Sequence, residues 1–310
     1  MTARRVAIIA AAILVFGATF AARLLLRRSA EAPDESPTDR RRIVSLAPSI
    51  TESIFALGRG DRLVGVTRYC DYPAEAGKLP KVGGYLDPNY EAIIDCRPDL
   101  VITLGASEHG KVRRALAEMG VELMTLEHST VDGILKSLPL LGRACGAPRE
   151  AKRMVADFRA RMKVIREKTS RRPRRKVLIS FGRTMGSGGI KEVYVAGKDG
   201  FYDRIIELAG GTNAYARDVP RYPKVSVEGL LGLAPDVIID LVPDMAEKNL
   251  TRRQVMAEWN VLTELEAVKN KRVHILTGDY VEVPGPRFVK LLEDVAQVVH
   301  PEVDWSGAPE

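Results

Sequence analysis

Three tyrosines stand in turn-rich runs, Tyr69 and Tyr72 in TRYCDYP and Tyr85 in VGGYLDP. They are placed after expected strands, where open α/β sheets hold their ligands. Rings at such positions have two uses: to cover a large flat ligand, or to cap the edge of a lobe with an amphipathic side chain. Arg183, Tyr194, Tyr215 and Tyr222 are candidates to face them from the second half of the chain.

Catalytic chemistry finds little footing. The run GASEHGKV from Gly105 has the outline of a phosphate-binding loop, but Val112 stands where that loop needs a hydroxyl for its metal. Without the hydroxyl the phosphate–metal geometry is incomplete. The four histidines, His109, His128, His274 and His300, include no pair at the spacing that shares one helix or strand face, so no metal site is assigned. No Gly-x-Ser-x-Gly elbow occurs, and Ser180 ends an ordinary strand. No catalytic residue, metal ligand or resident cofactor is expected.

A repeat is more informative. EAIIDCRPDLVI begins at Glu91 and EGLLGLAPDVII at Glu228, with the same seven-residue step from Glu to Pro-Asp. Asn89 and Ser226, two positions before each glutamate, are helix-capping types. Each glutamate is thus expected in the first turn of a short helix that ends at a Pro-Asp turn into a strand. The two halves are built alike.

The elements that position these residues alternate short apolar strands with helical stretches, the pattern of open sheets covered by helices. Strands are expected from Ile43, Leu63, Leu100 and Val121, then from Val177, Val193, Val237 and Val273. Between the two groups, Ala151, Met154, Val155, Phe158, Met162 and Ile165 recur at three- and four-residue steps. Gly146, Ala147 and Pro148 start this helix and Pro173 closes it, so 147–172 forms a stiff strut.

Around this body, the first 28 residues place Arg4 and Arg5 before an uncharged 6–22 run and further arginines after it. That is a signal or a membrane anchor, with 29–42 as a tether. No cysteine lies there, which argues against lipid attachment; Cys70, Cys96 and Cys145 are an odd set without metal spacing, in which one pair could bridge. The net charge of +7 is concentrated: 149–176 holds thirteen Lys or Arg against three acids. It therefore carries +10 and the rest of the chain −3, a basic helix on a mildly acidic body. Such a face is either solvated or drawn to anionic head groups; an exported chain is not expected to bind nucleic acid.

In order and spacing, the runs RRIVSLAPSITESIFALG from Arg41, YCDYP from Tyr69, VGGYLDPNYEAIIDCRPDLVI from Val82, VSVEGLLGLAPDVII from Val225 and VPGPRF from Val283 resemble the periplasmic binding proteins of cobalamin and ferric-siderophore ABC importers. The resemblance covers nearly all of 43–302. It implies an α/β fold of two Rossmann-like lobes with central sheets flanked by helices, here 43–146 and 173–310, joined by a single long rigid α-helix. The ligand cleft lies between the lobes. It also implies that Glu91 and Glu228 dock onto arginines of the permease, and that cleft aromatics hold a corrin in the cobalamin branch. Tyr69 and Tyr85 match two such places, Tyr85 where a member of the branch has tryptophan. The cargo is then a cobalt corrinoid or an iron chelate, with siderophore and haem as alternatives. The partners are a permease and its ATPase, the location is extracytoplasmic with the N-terminal segment at the membrane, and the chain is a monomer. A membrane-tethered sensor or a chelate-processing enzyme is the rival from another class.

Overall fold

The computed structural model describes residues 41–105, 114, 116–185, 189–217 and 221–306. The 1–28 segment, most of the tether, and His109, Lys111 and Val112 lie outside them.

The first half runs β1 (Ile43–Ser45), α1 (Pro48–Ala56), β2 (Leu63–Val66), α2 (Tyr90–Asp95), β3 (Leu100–Leu104), β4 (Glu122–Leu126) and α3 (Val131–Ala144). Its strands form a parallel sheet in the order β2-β1-β3-β4. Arg41 and Arg42, assigned to the tether from sequence, already belong to this body: Arg41 pairs with Glu122 at 2.8 Å and the Arg42 amide donates to Asp99.

Helix α4 (Pro148–Thr169) then leads into the second half. Proline at its first turn needs no hydrogen bond for the missing N–H, and Gly146, at φ +69°, supplies the left-handed corner before it. Its 22 residues span ~33 Å.

The second half contains β5 (Lys176–Gly182), β6 (Glu192–Val195), α5 (Phe201–Leu208), β7 (Thr212–Asn213), β8 (Lys224–Ser226), α6 (Val227–Leu233), β9 (Val237–Leu241), α7 (Arg252–Asn260), β10 (Val273–Leu276) and α8 (Phe288–Val299). The sheet order is β10-β9-β5-β6-β8, with β10, β9 and β5 parallel and β6 antiparallel to both its neighbours. β9, VIIDL, is buried throughout, as a strand covered on both faces must be.

Strand residues alternate between two faces. In the first sheet Ile43, Leu100 and Ile102 pack with α1, α3 and Ala151 of α4, whereas Val44 and Val101 pack with Ile93 of α2. In the second sheet Val177, Ile179 and Val237 pack with α4, α5 and α8, whereas Leu178 and Ile238 pack with Leu230 of α6. The linker helix therefore covers one face of each sheet, and α2 and α6 cover the opposite faces.

The halves are joined by more than the strut. Val131, Ile134, Leu135 and Leu138 of α3 share one core with Phe201, Tyr202 and Phe288 of the second half. Phe158 of α4 meets Phe288 edge-on at 5.3 Å. Burial of each such side chain contributes about 1.5–3 kcal/mol, so relative motion of the halves would expose a shared core.

The repeat recurs in the backbone and hydrogen bonding of its turns. Arg97 and Ala234 are both left-handed with φ near +46°. Asp99 then accepts from the Arg42 amide entering β1, and Asp236 from the Lys176 amide entering β5, both at 2.8 Å.

Candidate functional site

In both halves the C-terminal ends of the parallel strands lead into the loops that carry the candidate side chains, as open sheets require. The first-half loops present Tyr69 and Tyr72, which are 57% and 47% exposed, large values for rings of that size. Each ring is stacked on an arginine. Arg68 lies 5.0 Å from the centre of Tyr69, and Arg287, from the second half, lies 3.8 Å from the centre of Tyr72.

Both arginines are already neutralised. Arg68 donates to both oxygens of Asp87, at 2.8 and 2.7 Å. Arg287 donates to both oxygens of Glu52, at 2.9 and 2.6 Å, and to Asp279 at 2.7 Å. The Glu52 side chain is only 3% exposed. Burial raises its pKa against the pull of Arg287. For Arg287, burial disfavours the charge, yet the hydrogen bonds to Glu52 and Asp279 hold its pKa above the ordinary arginine range. This pair ties α1 directly to the residue preceding α8. Gly285 makes the approach possible, because a Cβ there would stand 3.1 Å from Ser49 Cα.

Tyr85 is half-buried and packs on the first-half core; burial, with the Glu127 carboxylate nearby, pushes its phenol up. From the second half, Tyr222 is 44% exposed and meets Phe181 edge-on at 5.0 Å. Phe181 in turn stacks on Tyr202 at 5.7 Å, whose hydroxyl donates to the Val281 carbonyl at 2.9 Å. Tyr194, also exposed, lies under Lys224 on the antiparallel strand β6.

Two of the expected ligand residues are placed otherwise. Arg183 has a side chain 1% exposed. It is paired with Asp240 at 3.1 Å and with Glu258, and lies against the Trp259 ring, while Trp259 also donates to Asp240 at 2.8 Å. Its donors are committed inside the second half, so it organises that core. Tyr215 is buried among Leu178, Val193 and Val225. Burial raises the Asp240 pKa, with Arg183 opposing it.

A cavity of about 740 Å³ lies between the halves on the linker side. Phe55, Tyr72, Met154, Phe158, Glu75 and Arg287 are among its walls, so Tyr72 is the candidate that it shares with the strand-end loops. His128 bridges Ser49 and Ser137, at 2.9 and 2.7 Å, and burial lowers its pKa to about 4. The three cysteines are free and buried, and burial pushes the Cys145 thiol up to about 12. Among the described residues no cluster of His, Cys, Asp and Glu could hold a metal ion, and no helix is long and apolar enough to cross a membrane.

Glu91 and Glu228 occupy equivalent exposed positions. Asn89 caps α2 by accepting from the Ala92 amide, and Ser226 caps α6 by accepting from Gly229. The Glu228 carboxyl is held below its ordinary range by its own amide and by Ser226.

Sequence reasoning missed Glu52, Phe181, Asp279 and Arg287. A signal existed for Glu52, an acid on the otherwise buried face of α1, and for Phe181, at the end of a central parallel strand. Arg287 carried none, because its partner is 235 residues away.

Two α/β bodies joined by one long helix, with aromatic side chains at the strand ends, define a two-lobed solute receptor. The chain belongs to the periplasmic binding protein family, whose model matches residues 43–280. It is thus a substrate-binding protein of the ABC importer class and not an enzyme. It is 30% identical to an ABC transporter substrate-binding lipoprotein of Bacillus subtilis over 84% of this chain and 81% of that one. Among solved structures, the periplasmic vitamin B12-binding protein of Vibrio cholerae aligns with a TM-score of 0.69 and 27% identity, over 85% of this chain and 98% of the other. The periplasmic haem-binding protein of Roseiflexus sp. RS-1, in apo form, gives 0.71 and 28%, over 84% and 98%.

Proposed function

We propose that this receptor binds cobalamin or a related corrinoid in the cleft between its halves and delivers it to a membrane permease. Glu91 and Glu228 are the docking charges, the 1–28 segment holds the chain at the membrane, and the working unit is a monomer. The observation that carries the ligand assignment is the pair of exposed tyrosines stacked on arginines whose charge carboxylates already cancel. Anionic chelates such as ferric siderophores, and the propionates of haem, call for guanidinium groups with donors to spare. A corrinoid offers a broad face and a rim of neutral amides, which ordered rings with little net charge suit better.

Calorimetry of residues 40–310 with cyanocobalamin, ferric siderophores and haem tests this. Cobalamin should bind one to one, and Tyr69→Ala and Tyr85→Ala should each weaken it by roughly tenfold, the worth of about 1.4 kcal/mol of aromatic contact. Tighter binding of haem would transfer the assignment to the cargo of the Roseiflexus relative. For docking, Glu91→Lys with Glu228→Lys should abolish transport and leave ligand affinity unchanged, since rim charges fix orientation more than affinity. Retained transport would reject the docking role.

A further inference from the structure

The charge concentrated in 149–176 is sorted by the helix into a stripe. At 3.6 residues per turn, Arg149, Lys152, Arg159, Lys163 and Arg166 fall within about 100° of arc on α4. All five are exposed. Asp157 and Glu150 lie on the other flank, where they engage Arg161 and Arg153. Glu167 reaches Lys163 at 3.8 Å, and among the described residues Arg149, Lys152, Arg159 and Arg166 have no carboxylate partner. The row runs ~26 Å along a straight helix, and none of its members lines the cavity between the halves.

A straight line of like charges that runs over several helical turns suits an extended anionic plane and not a small anion. We infer that this flank of the linker helix is a contact surface for the anionic phospholipid head groups of a bilayer. Several basic side chains near such a surface each add attraction, and the sum falls steeply with salt. A receptor that works beside a permease meets that surface continually, which favours lipid over nucleic acid. The orientation has a consequence that rests on the docking role proposed above. Helices α2 and α6 cover the sheet faces opposite α4, so a receptor lying on its basic flank turns Glu91 and Glu228 away from the bilayer. Lipid contact and docking then exclude each other, and the lipid-bound form is a resting orientation.

The test uses the compact unit Arg40–Glu310, which contains both sheets and every core cluster. Co-sedimentation is measured with vesicles of phosphatidylglycerol and phosphatidylethanolamine and with pure phosphatidylcholine. Binding is expected only to the anionic vesicles. It should weaken by roughly a hundredfold or more in K152E/R159E/K163E/R166E, and less in the corresponding glutamine variant, which guards against a folding defect. Equal binding to both vesicle types, or unchanged binding by the folded variants, overturns the proposal. Duplex DNA that binds as tightly with the same variant dependence also overturns it, since the flank would then be a general polyanion surface. Glu91→Lys with Glu228→Lys should not weaken vesicle binding. If transport shows the docking role to be mistaken, the lipid contact stands and only the exclusion between the two orientations falls.

Discussion

Removing Arg287 tests how much of the molecule depends on the contact between the halves. Arg287→Ala deletes two hydrogen bonds to Glu52, one to Asp279 and the stacking on Tyr72. The Asp279 side chain is exposed and is rehydrated at little cost. Glu52 is not, and breaking a buried pair by removing one partner costs about 3–5 kcal/mol. The carboxyl can escape that cost by taking up a proton, at about 1.4 kcal/mol for each pH unit above its pKa. In the native protein the pKa of Glu52 is already raised, so the stability it contributes is fullest at low pH and declines as pH rises through that raised pKa. Loss of Arg287 raises the pKa further and extends the decline to higher pH. We therefore expect Arg287→Ala to cost about 3–4 kcal/mol at pH 8, a fall in Tm of roughly 6–15 °C, and about half as much at pH 5. Calorimetric melting of both proteins at the two pH values measures this. A loss below about 1 kcal/mol at pH 8, or an equal loss at both, would refute the reasoning. Arg287→Lys, which keeps the charge but cannot form the two-pronged contact, should fall between them.

Two further outcomes follow from buried groups. His128 is held near a pKa of about 4 against about 6.5 when unfolded, so its neutral form contributes stability above pH 6.5 that is lost as pH falls toward 4. The loss amounts to about 3 kcal/mol, and His128→Gln should flatten that part of the stability–pH profile whatever it does to the plateau; an unchanged slope would count against it. Arg183→Met should cost about 3–5 kcal/mol by leaving Asp240 and Glu258 uncompensated, with ligand affinity of the folded fraction retained. A stable variant that had lost ligand binding would return Arg183 to the cleft.

The parts of the fold that local sequence dictates were legible. Strand starts at Ile43, Leu63, Leu100, Val237 and Val273 agree with the structure, and those at Val121, Val177 and Val193 differ by one residue. Pro148 and the Glu-to-Pro-Asp repeat worked because capping and turn residues act within a few positions. The two-residue strand β7 and the short edge β8 were missed, since neither carries an apolar run. For the site, composition marked tyrosines but could not separate Tyr69, which emerges, from Tyr215, which is buried among branched side chains. Arg183 was illegible for a related reason: nothing local to an arginine at a strand end shows that Asp240 and Glu258, 57 and 75 residues on, hold it.

The same distant pairings explain how the receptor can recognise its cargo without closing on it. A clamshell receptor gains selectivity by movement, which requires an interface that can open. Here α3 buries Val131, Ile134, Leu135 and Leu138 against the second half, Phe158 meets Phe288, and Glu52 holds Arg287 across the junction. Opening would expose apolar core and break a buried ion pair together, a cost of several kcal/mol. Selectivity must therefore reside in side chains already in place. If Tyr69 and Tyr72 hold the ligand as proposed, the stacking of Arg68 and Arg287 on their rings leaves less rotamer freedom for binding to remove. Under the docking role proposed above, Glu91 and Glu228, one in the first turn of α2 and one in that of α6, would let a single partner engage both halves at once, and release would then rest on that partner and not on a hinge within the receptor.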